Sequence, residues 1–250
     1  VYRENGQLAL AAVEFERIAS ESEEPELRQE ALLTSGELFE EVKDLDRAAK
    51  VYRRYVDSFA EPVMVNLETR DKLAAILKKQ GKIGLYHDEL RQIVAVEAAA
   101  EADQNDRTRS LASSAALILA RFDYEEFVTI ELVKPFDKNL QRKQEQMKET
   151  TTAYAQIFDY GIGEVTAEAT YYLAEIYADF SDALMTSERP EDLSALELEQ
   201  YELAIEEQAY PFEEKAIEMH QSNLELISQE IYNRWIEKSL AMLATFMPAR

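Results

Sequence analysis

The feature that most constrains this chain is the stretch 32–59, LLTSGELFEEVKDLDRAAKVYRRYVDSF, in which small and large apolar side chains sit at helical offsets. Leu32, Gly36 and Phe39 share one face of a first helix, and Ala48, Tyr52 and Val56 share one face of a second. Two helices joined by a short turn lie antiparallel, and they approach closely only where the side chains between them are small. Gly36 and Ala48 provide the close contacts, while Phe39 and Tyr52 provide the bulk that fills the remaining space. The spacing predicts a helical hairpin.

The same arrangement recurs along the chain. Ala11 and Phe15 in GQLALAAVEFERIA stand 37 residues before Ala48 and Tyr52 and follow the turn pair Asn5 and Gly6. In KLAAILKKQGKIGLYHDELRQIV, Ala74 takes the place of Gly36, Leu77 that of Phe39, and Gly81 marks the turn. LASSAALILARFDYEEF aligns Ala115, and EATYYLAEIYADF aligns Ala174 with Tyr177 behind it. The anchors Gly36, Ala74, Ala115 and Ala174 are therefore spaced by 38, 41 and 59 residues. This code resembles the tetratricopeptide repeat (TPR), whose unit is about 34 residues. The resemblance implies an all-α, right-handed solenoid of antiparallel helix hairpins that binds other proteins. The longer spacings imply extended helices of the kind found in bacterial envelope TPR proteins, with an inserted or lengthened element between 122 and 160. Three parts are expected: repeats over 1–121, the first of them incomplete; an irregular connection, a long helix and a degenerate repeat helix over 122–189; and a helical cap over 190–250. The chain opens on Val1 with a second helix that lacks its first-helix partner, so a piece of a longer array is expected.

Composition agrees with helix. Six Gly and six Pro in 250 residues leave little material for the turns of a sheet protein. There are no cysteines, which removes disulfides and thiolate metal sites from consideration. No run of about 18 apolar residues is present, so no membrane span is expected. The net charge of −23 is unevenly placed, with 20 acidic and 5 basic side chains in the last hundred residues. Such a surface repels nucleic acid and anionic lipid, both of which need clustered cations. Two readings of the acidity stay open: a solvated face that keeps the protein soluble, or a surface for a partner with a basic segment.

After residue 121, FDYEEFVTIELVKPF is rich in β-branched and bulky residues and ends at Pro135, which predicts an irregular or extended apolar connection. A polar helix follows, with Leu140, Met147, Tyr154, Ile157 and Phe158 at helical spacing and an end near Gly161. It is expected to lie against its neighbours as an oversized second helix, the alternative being a projecting arm. Beyond Pro190 a long amphipathic helix places Leu196, Tyr201, Ile205, Ala209, Phe212, Ala216, Met219 and Leu224 on one stripe, with a kink or break expected at Pro211 near Tyr210. The final helix carries Trp235 with Ile231, Ile236, Leu240, Leu243 and Phe246, and Trp235 is expected in the core.

No short catalytic motif is found. His220 has Ile217 where a helical di-metal site needs a carboxylate, and His87, in YHDEL, lacks the second histidine of a zinc-protease helix. Gly161 and Gly163 make a lone GxG, and Ser113 and Ser114 have no nearby histidine in sequence. The expectation is a protein without enzymatic activity, cofactor or metal.

A binding module of this type would use the surface built by its first helices. Glu30, Glu37, Glu40 and Glu41 flank the small anchor of the best repeat, Asp71, Lys78 and Lys79 that of the next, and Tyr171, Glu175 and Asp179 that of the helix around Ala174. They predict a groove of mixed sign with acidic ends that receives a peptide carrying Lys or Arg. The alternative is that they are ordinary exposed positions. The phrases YYLAEIYADFSDALMTSERP, LSALELEQYELAIEEQAYPFEEKAIEMHQSN and IYNRWIEKSLAMLATFMPAR also resemble the C-terminal region of large bacterial TPR proteins associated with gliding-motility and Ton/Tol-type envelope systems. That resemblance implies a periplasmic scaffold. A self-associating strut and a chaperone-like client binder are the other two classes the sequence leaves open.

Overall fold

The computed structural model describes Tyr2 and residues 6–246, and among these residues it contains ten α-helices and no strand. Asn5 of the first turn pair and the last four residues of the final phrase lie outside the described residues. The chain divides into two compact units, Val1–Ala115 and Ala116–Arg250.

Unit 1 holds α1 (Leu8–Glu21), α2 (Pro25–Glu41), α3 (Leu45–Ser58), α4 (Val63–Lys79), α5 (Ile83–Ala99) and the first part of α6 (Asp106–Val128). From α1 to α5 each helix packs against the next. The local chemistry sets the boundaries. Pro25 begins α2, where its missing N–H costs nothing. Asp44 caps α3 by accepting a hydrogen bond from the Arg47 N–H, and Gly81, at φ 69°, makes the turn after α4 that a side chain would resist. The first hairpin is interlocked as its sequence predicts. A Cβ on Gly36 would fall 2.3 Å from Cε1 of Tyr52, and Leu32, Phe39, Ala48 and Tyr52 are all fully buried.

Polar bridges then join alternate helices of unit 1. Lys72 of α4 pairs with Glu37 of α2 at 2.8 Å, and Arg107 of α6 pairs with Glu68 of α4 at 3.2 Å. On the intervening helices, Arg54 of α3 donates to the Ala19 carbonyl of α1, and Arg53 of α3 pairs with Glu89 of α5. Glu89 is buried and also bound by Arg70 of α4 at 3.0 Å, while Arg70 is held in place by Asn66.

Unit 2 holds the rest of α6, α7 (Phe136–Ile157), α8 (Gly163–Met185), α9 (Ala195–Glu225) and α10 (Arg234–Phe246). Helix α8 is central, packing against α7, α9 and α10. Phe127, Tyr154, Leu173, Ile176, Phe180, Ile205 and Ala209 form the main core, and Tyr171 and Trp235 form a second cluster with Ala167 and Ile236. Helix α7 thus lies against its neighbour α8, and Trp235 is in the core. A single 3₁₀ turn, Phe158–Tyr160, and Gly161 at φ 67° end α7 where expected. Ser194 and Glu197 form a reciprocal capping box that starts α9.

Several expectations are corrected here. The segment after 121 is not irregular from its start: α6 runs to Val128, because Phe127 is wholly buried and tertiary packing overrides the low helix preference of the bulky residues. Only 129–135 lie outside a helix. Pro211 does not break α9, which is continuous through it. Proline removes one backbone bond, to the Glu207 carbonyl, and both residues are on the exposed side of the helix, where solvent offsets that loss. Leu196, Leu240 and Phe158, expected on buried stripes, are exposed. Polar residues not expected inside, His220 and Asn223 on α9 and Ser239 on α10, are buried.

Candidate functional site

Unit 1 carries seven of the predicted residues, Glu30, Glu37, Glu40, Glu41, Asp71, Lys78 and Lys79. Glu37 is exposed and bridged to Lys72, whose ammonium also lies 5.7 Å from the centre of the Tyr52 ring. Asp71 sits on the same helix as Glu68, beside Arg107. Loss of solvation pushes the Asp71 carboxyl above the ordinary carboxylate range, Arg107 opposes the shift, and Glu68 adds to it. Charges of both signs from α2, α4 and α6 therefore alternate along these exposed helix positions. Glu30, Glu41 and Lys79 are exposed as well. Two more of the predicted residues contact tyrosines of the fold, Glu40 half-buried and Lys78 exposed. Glu40 accepts a hydrogen bond from Tyr52 Oη at 2.7 Å, and Lys78 lies 5.5 Å from the centre of the Tyr86 ring. Burial first, and the Glu40 carboxylate next, hold the Tyr52 hydroxyl far above its usual range, so it remains a donor.

In unit 2 the predicted residues do not line an open first-helix face. Tyr171 is buried against Trp235, with ring centres 5.3 Å apart, and burial followed by Glu175 raises its hydroxyl well above the ordinary value. Glu175 points at His220, with its Oε1 3.5 Å from Nε2. His220 is fully buried. Asn223 donates to Ser239 Oγ at 2.8 Å, and Ser239 shares a 3.1 Å hydrogen bond with His220 Nδ1. If the Ser239 Oγ–H donates its hydrogen bond to Nδ1, a singly protonated His220 ring carries its own proton on Nε2, facing Glu175. This polar seam joins α8, α9 and α10, which explains why a helix face rich in charge is not a free surface.

Asp179 belongs to a different feature. It pairs at 2.7 Å with Lys143, whose ammonium also donates to the Phe127 carbonyl at 3.3 Å and lies 4.2 Å from the centre of the Phe127 ring. Lys143 is only 1% exposed. The pair forms the floor of a cleft of about 310 Å³ beneath the 129–135 connection. Val128, Ile130, Val133 and Ala183 give it apolar walls, and Glu131, Asp182 and Glu188 bring carboxylates to it. Lys134 occupies Glu188, through both its backbone N–H and its ammonium. Among the described residues no such cation pairs with Asp182 or Glu131, and both are exposed, so the cleft carries excess negative charge.

Sequence reasoning missed Lys143, Lys72, Arg107 and the His220 seam. One signal for Lys143 was present: with Leu140, Met147, Thr150, Tyr154 and Ile157 it continues the three-and-four spacing of the buried stripe of α7. A lysine on an apolar stripe needs a buried partner. Among the described residues, no group of three or more His, Cys, Asp or Glu side chains is placed to hold a metal ion, and no helix is long and apolar enough to cross a membrane. No protein-family model matches the chain, and no curated protein is significantly similar to it.

Proposed function

We propose that this chain is a non-enzymatic protein-interaction scaffold of the tetratricopeptide type, in which stacked helix hairpins form a right-handed solenoid and present a surface for a partner with a basic segment. The observation that carries the reading is the pair of bridge sets in unit 1: Glu37–Lys72 and Glu68–Arg107 link even-numbered helices, while Arg54–Ala19 and Arg53–Glu89 link odd-numbered ones. Alternate helices that touch are what a stack of hairpins requires. The Gly36–Tyr52 interlock, at the positions where the repeat code puts a small residue and a ring, supports the same reading. A place in a bacterial envelope complex rests on the resemblance of the C-terminal phrases. Acidic positions Glu37, Glu41 and Asp71 on the even-numbered helices favour a cationic peptide over nucleic acid.

The test is an affinity capture from envelope extract after crosslinking, with partners read by mass spectrometry, using the wild-type chain and the exposed-site variant Glu37→Lys/Glu41→Lys. Partners recovered by the wild type and lost by the folded variant support the even-helix surface. Identical partners for both remove that surface from the reading, and recovery of the protein alone replaces the scaffold with a self-associating strut.

A further inference from the structure

Leu196, Leu203 and Tyr210 recur every seven residues along α9, and they keep 65%, 56% and 56% of their surface exposed. Seven residues are nearly two helical turns, so the three side chains form one line on the helix. Ile205 and Phe212, two residues further on in each case, are on the opposite side and pack into the core. Helix α9 therefore has two apolar faces, one buried and one bare. A line of large apolar side chains in water is costly to leave open and marks a contact surface.

The flanks of the bare line are uniform in sign. At the third residue after each of its members stand Glu199, Glu206 and Glu213, and at the fourth stand Gln200, Glu207 and Glu214. Tyr210 Oη donates to Glu214 at 2.8 Å, which holds the ring along the line. No Lys or Arg occurs between Arg189 and Lys215. In a helix pair, the positions beside the apolar seam choose the partner by charge. Two copies of α9 laid face to face would set glutamate against glutamate, and an anionic bilayer would be repelled in the same way. We propose that the Leu196–Leu203–Tyr210 face of α9 docks an amphipathic helix of another protein, with its own apolar seam flanked by Lys or Arg. The inference rests on the scaffold reading and gives it a second surface, a helix-on-helix contact distinct from the even-helix face of unit 1.

The experiment measures fluorescence anisotropy of a dye-labelled three-heptad peptide, with leucine at the seam positions and lysine at the flanks, titrated with the full chain. Saturable binding is expected, weakened at least about tenfold in Leu203→Ser/Tyr210→Ser, which removes about 1.4 kcal/mol. Both side chains are exposed, so the variant folds, as its circular dichroism checks. A peptide with the same leucines and glutamate flanks is expected not to bind. Equal affinity of wild type and variant for the lysine peptide would reduce the contact to unspecific charge attraction and overturn the docking face. So would sedimentation of the wild type as a dimer that the double variant dissolves, which would assign the face to a second copy. Envelope capture separates the two readings. Partners kept by the double variant leave the scaffold standing and overturn the α9 contact. Specific peptide binding without any captured partner sustains the α9 contact and removes the envelope complex.

Discussion

Glu89 in unit 1 and Lys143 in unit 2 are equally buried, each 1% exposed, yet they are held in opposite ways. Glu89 is clasped by two guanidinium groups from two other helices, Arg70 of α4 and Arg53 of α3, and so ties three successive helices together. Lys143 has one carboxylate, one carbonyl and one ring face, and it borders a cleft with further acidic groups. The first arrangement is closed and acts as a fastener. The second is open on one side and can respond to what enters the cleft. The two glycines at helix contacts differ in the same sense. A Cβ on Gly36 meets the rigid, fully buried ring of Tyr52, whereas one on Gly163 meets the terminal Cδ1 of the half-buried Ile231, which can turn away.

The largest expected effect comes from breaking the closed arrangement. Glu89→Ala leaves Arg70 buried without its anion and is expected to destabilise unit 1 by about 3–5 kcal/mol, read by urea unfolding. Loss of the open one is milder. Asp179→Ala strands Lys143 but leaves it the Phe127 carbonyl and a route to water through the cleft, and a loss of about 2 kcal/mol is expected. Equal losses for the two variants would erase the distinction between them.

The glycines sharpen it further. Gly36→Ala is expected to cost about 1–3 kcal/mol through overpacking, even after the gain in helix propensity, and Tyr52→Leu in the same chain should recover much of that loss in a double-mutant cycle. Gly163→Ala is expected to stay within about 0.5 kcal/mol of wild type. The smallest effect concerns Glu97, a buried residue of α5 whose Oε1 has no hydrogen-bond partner among the described residues. Burial raises its carboxyl above the ordinary value of 4.5, against the pull of Arg109. The folded state therefore favours the protonated acid, a contribution present below pH 4.5 and lost as pH rises through the raised folded value. Glu97→Gln is expected to raise stability at neutral pH and to change nothing well below 4.5, in paired melts at the two pH values.

The parts of the fold legible in the sequence are those whose contacts are close along the chain. Leu32, Gly36, Phe39, Ala48, Tyr52 and Val56 all bury as their spacing demands, because a hairpin brings together residues only a dozen or so positions apart. The end of α6 was not legible, since Phe127 is kept helical by the distant side chains that surround it. Nor was the true stripe of α9: Leu196 suits a buried stripe by hydropathy but lies on the second, bare face, while His220 and Asn223 bury only because Ser239 and Glu175 meet them from other helices. Of the candidate site, the acidic character and the positions Glu37 and Asp71 could be read from sequence. The partners Lys72 and Arg107, about 35 residues away from them, could not.

The burial of Trp235 gives the molecule an optical asymmetry. It is the only tryptophan, it lies in unit 2, and its ring centre is 5.3 Å from those of both Tyr171 and Tyr172. Excitation absorbed by those tyrosines passes to the indole, and long-wavelength emission comes from this one cluster. Unit 1, with tyrosines but no indole, stays dark in that window, so the colour of the emitted light follows the α8–α10 end alone while circular dichroism follows every helix at once.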